Sequence, residues 1–423
     1  MKILVVGSGG REHAIVRKLK ESSQVEAVYC APGNGGISRD AECFPVNAMD
    51  KEGMLSLAKE KAVDLVFVAP DDPLAAGMVD FLEAAGIPCF GPNAAAAEIE
   101  ASKVFSKNLM KKYGIPTAGY EVFSDPAQAL DYIKVQGKYP AVIKADGLAL
   151  GKGVVIAQNE EEAKAALHSI MEDKIFGDSG TQVVVEEFLT GPEVSVLAFT
   201  DGKTLCPMVS SMDHKRAYDG DKGPNTGGMG TISPNPFYSD EVAKECMEKI
   251  FQPTVAAMNA EGRPFKGCLY FGLMLTPDGP KVIEYNSRFG DPETQVVLPR
   301  LKTDFAEIVK AVAEERLSQL SIQWSEQASA CVVMASGGYP GSYPKGIEMH
   351  GLDENGQVDG VTVYHAGTKY ENGKFLTNGG RVLGVTALGD TLDQALDTAY
   401  AAVEKISFEG AMYRKDIGRT HRN

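Results

Sequence analysis

The sequence predicts an α/β protein: an open parallel sheet at the N-terminus, a middle α/β domain holding a small subdomain, and a β-rich C-terminal domain. Three observations carry this. Short β-branched runs alternate with helical spacing through the first hundred residues, the pattern of a parallel, helix-covered sheet. A compact β-α-β pattern of roughly 70 residues follows, small enough to move as a unit. After Trp324 the chain returns to strands with one late helix.

Taken in order, Ile3 to Val6, Val25 to Cys30, Leu65 to Ala69 and Pro88 to Phe90 read as strands, and Arg11 to Lys20, Met54 to Lys61 and Leu74 to Ala85 as helices. These form a domain over 1–102. Ile99 to Tyr113 reads as a charged helix stopped by Gly114-Ile115-Pro116. The middle domain spans 103–325. Its subdomain, about 119–190, holds strands at Ala141 to Ala145, Val154 to Ala157 and Gln182 to Glu187 and a helix at Glu160 to Glu172. Glu193 to Thr200, Lys203 to Ser210, Gly267 to Leu275 and Lys281 to Asn286 are further strands around one helix, Ser239 to Asn259. Residues 326–423 form the last domain, with strands at Ala328 to Ala335, Val361 to His365 and Arg381 to Ala387 and a helix from Leu392 to Lys405.

Charge narrows the partners. With 57 acidic and 42 basic residues the net charge is -15, so phosphate backbones and anionic membranes repel the molecule as a whole. The N-terminus lacks the apolar stretch of a signal peptide, and no apolar run approaches the roughly 18 residues of a membrane span. Seven cysteines form no CxxC pair, which points to a reducing, cytoplasmic compartment. The 45 glycines exceed the roughly 30 expected at average usage. Fourteen of them fall in 7–10, 33–36, 144–153 and 220–230.

Those loops hold the chemistry. Gly7-Ser8-Gly9-Gly10 joins the first strand to a helix, where amides can cradle an anion, or it is a plain tight turn. A dinucleotide fingerprint needs glycine where Glu12 stands and an acid where Ala31 stands, so a nicotinamide cofactor is disfavoured. Gly33-Asn34-Gly35-Gly36 lies on the same sheet edge. Lys144 sits at the end of an apolar strand, where an ammonium calls for an anionic partner, most simply a phosphate. Gly147 to Gly153, with Lys152, is a hairpin able to close over phosphates. Val183 to Leu189 ends at Thr190-Gly191-Pro192, a hinge whose backbone could read a purine edge. Glu284, Asn286 and Arg288 step by two along a strand, giving a carboxylate and an amide oxygen for Mg²⁺ and a guanidinium for an anion. The alternative is a salt-bridged strand end. Met212 to Gly230 reads as a long polar loop of functional character. His214 and His365 read as structural histidines, and Tyr413 to Arg419 as a solvated, mixed-charge end.

At these residues the chain resembles the ATP-grasp enzymes and, within them, the phosphoribosylamine–glycine ligase family. The resemblance runs through Val5 to Ala14, Lys144-Ala145-Asp146-Gly147, Asp213-His214-Lys215-Arg216, Asn225 to Gly230, Glu284 to Glu293, His365 to Thr368 and Arg414 to Gly418. It implies an ATP-grasp fold with a Rossmann-like N-terminal domain and a mobile lid. The implied activity is ATP-dependent joining of glycine to 5-phosphoribosylamine through a glycyl phosphate, in purine synthesis, by a monomer needing Mg²⁺ or Mn²⁺. The ATP site it implies is Lys103, Lys144, Gly151, Lys152, Glu186, Glu187, Phe188, Leu189 and Glu193. Glu284 and Asn286 are the implied metal ligands, and Lys144, Arg288 and Asp213 the catalytic residues. Gly9, Gly10, Asn34, Gly35, Asn225, Thr226, Gly227, Arg288 and Asp291 are expected around the amine substrate. Two positions depart from the family pattern. Ala69-Pro70-Asp71 stands for Gly-Pro-Glu, and Met274 occupies the place of a first metal carboxylate. The competing readings are another ATP-grasp carboxylate–amine ligase and a protein that binds ATP without turnover.

Overall fold

The computed structural model describes residues 1–148 and 153–419. Its first sheet is parallel and five-stranded, in the order Glu42–Cys43, Ala27–Pro32, Lys2–Gly7, Leu65–Val68, Cys89–Phe90. Alternate residues of the central strand serve opposite faces. Leu4 and Val6 pack with Met54, Leu57 and Leu82, while Ile3 and Val5 join a core that runs on through Phe67 to Phe289 and Phe305. That shared core fixes the N-terminal sheet against the middle domain.

The helices differ from the sequence reading at two breaks. Leu74 to Ala85 divides into Asp71–Ala75 and Met78–Ala84 at Gly77, whose φ of 83° suits glycine. Ile99 to Tyr113 divides into Ala94–Ala101 and Lys103–Tyr113 because Ser102 is extended and its hydroxyl caps the Phe105 amide. A helix at Pro126–Gln136, capped by Asp125, has no counterpart in the sequence reading.

The lid subdomain is a four-stranded antiparallel sheet, Tyr120–Phe123, Val183–Glu187, Ala141–Ala145, Val154–Ala157, with its own core of Ile133, Ile143, Leu167, Ile170, Val183 and Val185. The middle sheet orders Leu205–Pro207, Glu193–Asp201, Lys266–Thr276 and Gly279–Asn286. Only three residues of the expected Lys203 to Ser210 strand pair.

The expected polar loop is largely ordered. Met212–Asp213 and Gly230–Ser233 are strands of the C-terminal sheet, beside Ala328–Ala335, Arg381–Gly389 and Thr362–His365. Between them Arg216–Tyr218 and Lys222–Asn225 form a separate two-stranded hairpin. Its glycines and polar residues hide the period-two signal, so the sequence reads as loop. Among the described residues no helix is long and apolar enough to cross a membrane.

Candidate active site

A cavity of about 990 Å³ opens where the lid, the middle sheet and the N- and C-terminal domains meet. Lys144 and Glu186 come from neighbouring lid strands, with Glu186 opposite Val142. Glu186 Oε1 lies 3.1 Å from the Lys144 ammonium, which also donates to the Ile283 carbonyl at 3.2 Å. The other carboxylate oxygen lies 3.1 Å from Lys107 Nζ, which donates to Thr117 Oγ1 at 2.7 Å. Burial draws Lys107 down to about 8 against the pull of Glu186. Across the sheet, a protein carboxylate serves as an anionic partner of Lys144.

Lys103 is set by the break at Ser102. Asp146 accepts from the Ser102 hydroxyl at 3.1 Å and the Val104 amide at 3.1 Å, and Lys103 Nζ donates to the Gly147 carbonyl at 2.8 Å. On the strand Gly279–Asn286, Glu284 and Asn286 both line the cavity. Burial alone would lift the Glu284 carboxyl, yet the charges of Lys215, Lys144, Lys103 and Arg288 hold it below the usual carboxylate range.

Arg288 joins two domains. Its Nη2 lies 3.0 Å from Glu100 Oε1 and 3.8 Å from Asp71 Oδ2, and donates to Asn286 Oδ1 at 3.2 Å. Its Nε is buried with no partner among the described residues. A charged donor left without an acceptor is costly, so this atom suits an anionic oxygen of a ligand. Asp213 and Lys215, two positions apart, both line the cavity. Lys215 Nζ lies 3.1 Å from Glu193 and 3.9 Å from Glu284. Burial and then the charge of Glu293 raise the Asp213 carboxyl well above its usual value, against Lys215 and Arg381.

The donors at Glu284 and Asn286 fit a hard cation. The carboxylate is ionised, and the Asn286 oxygen accepts one hydrogen bond while keeping a lone pair. Among the described residues no group of three or more His, Cys, Asp or Glu side chains could hold a metal. One carboxylate and one amide oxygen suit Mg²⁺, which takes its remaining ligands from water and phosphate. Met274 lines the same cavity and supplies no oxygen.

Family models match three consecutive segments: the phosphoribosylglycinamide synthetase N domain over residues 1–100, its ATP-grasp (A) domain over 101–294 and its C domain over 329–420. The chain belongs to the phosphoribosylglycinamide synthetase family. It is 51% identical over 417 residues to a phosphoribosylamine–glycine ligase of Caldanaerobacter subterraneus, covering 99% of each. The solved phosphoribosylamine–glycine ligase of Thermotoga maritima superposes with a TM-score of 0.84 at 35% identity, over 99% of this chain and 100% of that one. A biotin carboxylase domain from Hydrogenobacter thermophilus shares the fold, with a TM-score of 0.74 at 18% identity over 97% of this chain and 91% of its own.

For a phosphoribosylglycinamide synthetase, most residues singled out in the sequence converge. Lys103, Lys144, Glu186, Glu187, Phe188, Leu189, Glu193, Asp213, Asn225, Thr226, Gly227, Glu284, Asn286, Arg288 and Asp291 all line the cavity. Glu187 accepts from the Gly119 amide at 2.9 Å, pinning the lid's base. Gly151 and Lys152 lie outside the described residues. Gly9, Gly10, Asn34 and Gly35 are not part of the cavity lining. The expected phosphate cradle there is filled by the chain's own groups: the Gly9 amide donates to Glu12 at 2.6 Å and the Arg11 amide to Asp291 at 3.2 Å. Asn34 is likewise committed, accepting from Gly36 and Ile37 and donating to the Ser8 and His365 carbonyls. A Cβ on Gly35 would come within 2.6 Å of the Lys369 backbone, so glycine serves close packing there.

The sequence reading missed Glu100, Lys107, Lys215, Glu293 and Arg381, which also line the cavity. Lys107 follows Lys103 by one helical turn and Lys215 follows Asp213 by two, so periodicity could have found both. Glu100 and Arg381 carry no local signal. His214 and His365 are structural: each imidazole bonds backbone or hydroxyl partners on both ring nitrogens.

Proposed function

We infer that this chain is an ATP-dependent ligase that joins glycine to 5-phosphoribosylamine, giving glycinamide ribonucleotide, ADP and phosphate, in purine synthesis. The observation that carries the reading is the gathering of Lys103, Lys144, Lys215 and Arg288 around Glu284 in one cavity. Such a site stabilises the charge that develops when a carboxylate meets a phosphoryl group. Relatives at about half identity carry the same activity in their names.

A glycine carboxylate oxygen attacks the γ-phosphorus of ATP, the bond to the bridging oxygen breaks, and ADP leaves. The amine nitrogen of phosphoribosylamine then attacks the glycyl carbon and phosphate departs. Lys144 and Lys103 hold ATP phosphate oxygens, with Lys144 exchanging Glu186 for phosphate. The free Nε of Arg288 takes an anionic oxygen at the reacting end. Glu284 and Asn286 would hold Mg²⁺ or Mn²⁺, which when bound neutralises phosphate oxygens. Asp213, which lines the cavity, accepts the proton the amine loses. The lid, hinged at 186–193, excludes water from the acyl phosphate.

The chain acts on small molecules as a monomer, and its seven free thiols support a cytoplasmic setting. A phosphate-release assay tests the activity. Release should need both glycine and phosphoribosylamine; release with bicarbonate or formate in place of glycine would favour another ATP-grasp ligase, and release needing neither substrate would overturn the reading.

A further inference from the structure

The Arg216–Tyr218 and Lys222–Asn225 hairpin lines the cavity through Arg216, Asp221 and Asn225, yet among the described residues it pairs with no other sheet. Most of its residues are exposed. An isolated two-stranded hairpin is marginal in water, so something else must order it.

The tail does so. Arg414 has a fully buried side chain. It grips Asp416 with a fork, Nε to Oδ1 and Nη2 to Oδ2 at 2.8 Å each. Its Nη1 lies 2.8 Å from Asp221 Oδ1 and donates to the Arg216 carbonyl at 3.2 Å. Asp416 Oδ2 also accepts from the Gly220 amide at 2.8 Å, and Asp219 accepts from the Lys415 amide at 2.8 Å. The tail is itself held from behind: Tyr400 donates to the Arg414 carbonyl at 2.8 Å and accepts from the Ile417 amide at 3.0 Å. The first strand of the hairpin and its turn are thus tied to residues 414–416, which are not themselves part of the cavity lining. The hairpin's far end, at Gly227, is fixed separately by Arg381 and Tyr339.

We propose that residues 414–418 are a clamp that positions the Arg216–Asn225 hairpin as the wall for the phosphorylated amine, with Arg414 as its positioning residue. The claim rests on the reading that this amine binds against Asn225 and Thr226. Charge-assisted, bidentate bonds make the clamp specific to arginine, since a lysine offers charge without the fork.

The full chain is compared with Arg414→Met, Arg414→Lys and Asp219→Ala by hydrogen exchange of the 216–225 amides and by steady-state kinetics. In Arg414→Met the hairpin should exchange about tenfold faster, and KM for phosphoribosylamine should rise about tenfold with KM for ATP within about twofold. Arg414→Lys should lie between. Unchanged hairpin exchange, or the two KM values rising together, would overturn the proposal. Should Arg414→Met fail to fold, Asp219→Ala removes one acceptor from an exposed turn, and the same two readouts decide. If the wild-type chain proved inactive with this amine, the exchange measurement would still judge the clamp, so the two failures are distinguishable.

Discussion

Glu186 stands between Lys144 and Lys107, 3.1 Å from each ammonium. All three side chains are nearly sealed from solvent, so the carboxylate is the counter-ion of both cations. Glu186→Gln keeps the shape and removes the charge. The variant should lose about 3 kcal/mol of stability without nucleotide, the cost of breaking a buried pair. ATP should then stabilise it more than it stabilises the wild type, because phosphate restores the missing charge. Urea unfolding with and without ATP checks this. Equal ATP-induced shifts in both proteins would contradict the exchange of partners.

Arg288 cannot be replaced by lysine without losing its simultaneous bonds to Glu100 and Asn286. Arg288→Lys should lower turnover by about 100-fold while KM for ATP stays within about threefold. Steady-state kinetics against ATP tests it, and turnover close to wild type would remove Arg288 from the reacting end.

His214 links the clamp to the sheet. Its Nδ1 meets the Gly230 carbonyl at 3.0 Å and its Nε2 accepts from the Gly418 amide at 3.0 Å, which requires a neutral ring. Burial, aided by the charge of Arg414, draws its pKa down to about 4. The unfolded chain therefore takes up this proton near pH 6.5 and the folded chain only near 4, so stability is lost as pH falls through that interval, by up to about 3 kcal/mol. His214→Gln lacks the titration, so the wild type's advantage over it in urea midpoint should shrink from pH 7 to pH 4.5. A gap independent of pH would contradict the assignment.

Much of this was legible in the sequence. Strand edges such as Lys144, and the two-residue steps from Glu284 to Arg288, place side chains on one face whatever surrounds them. The partners were not legible. Glu186 reads as part of a hinge, and only the pairing of the two strands, which sets it diagonally across from Lys144, reveals their contact. Gly9 and Gly10 read as an anion cradle, but the Gly9 amide donates to Glu12 and the Arg11 amide to Asp291, 280 positions further along the chain. The 414–418 tail reads as solvated because its acceptors, Asp219 and Asp221, lie nearly 200 positions earlier. Composition locates charged groups; long-range topology decides which of them meet.

The central claim is that this cavity forms an acyl phosphate of glycine and passes it to an amine. Glycine labelled with ¹⁸O in its carboxylate, turned over with ATP and phosphoribosylamine, tests that claim most directly. The phosphate released should carry one ¹⁸O per molecule formed, since the attacking carboxylate oxygen leaves with the γ-phosphorus. Unlabelled phosphate at full product yield would contradict the account.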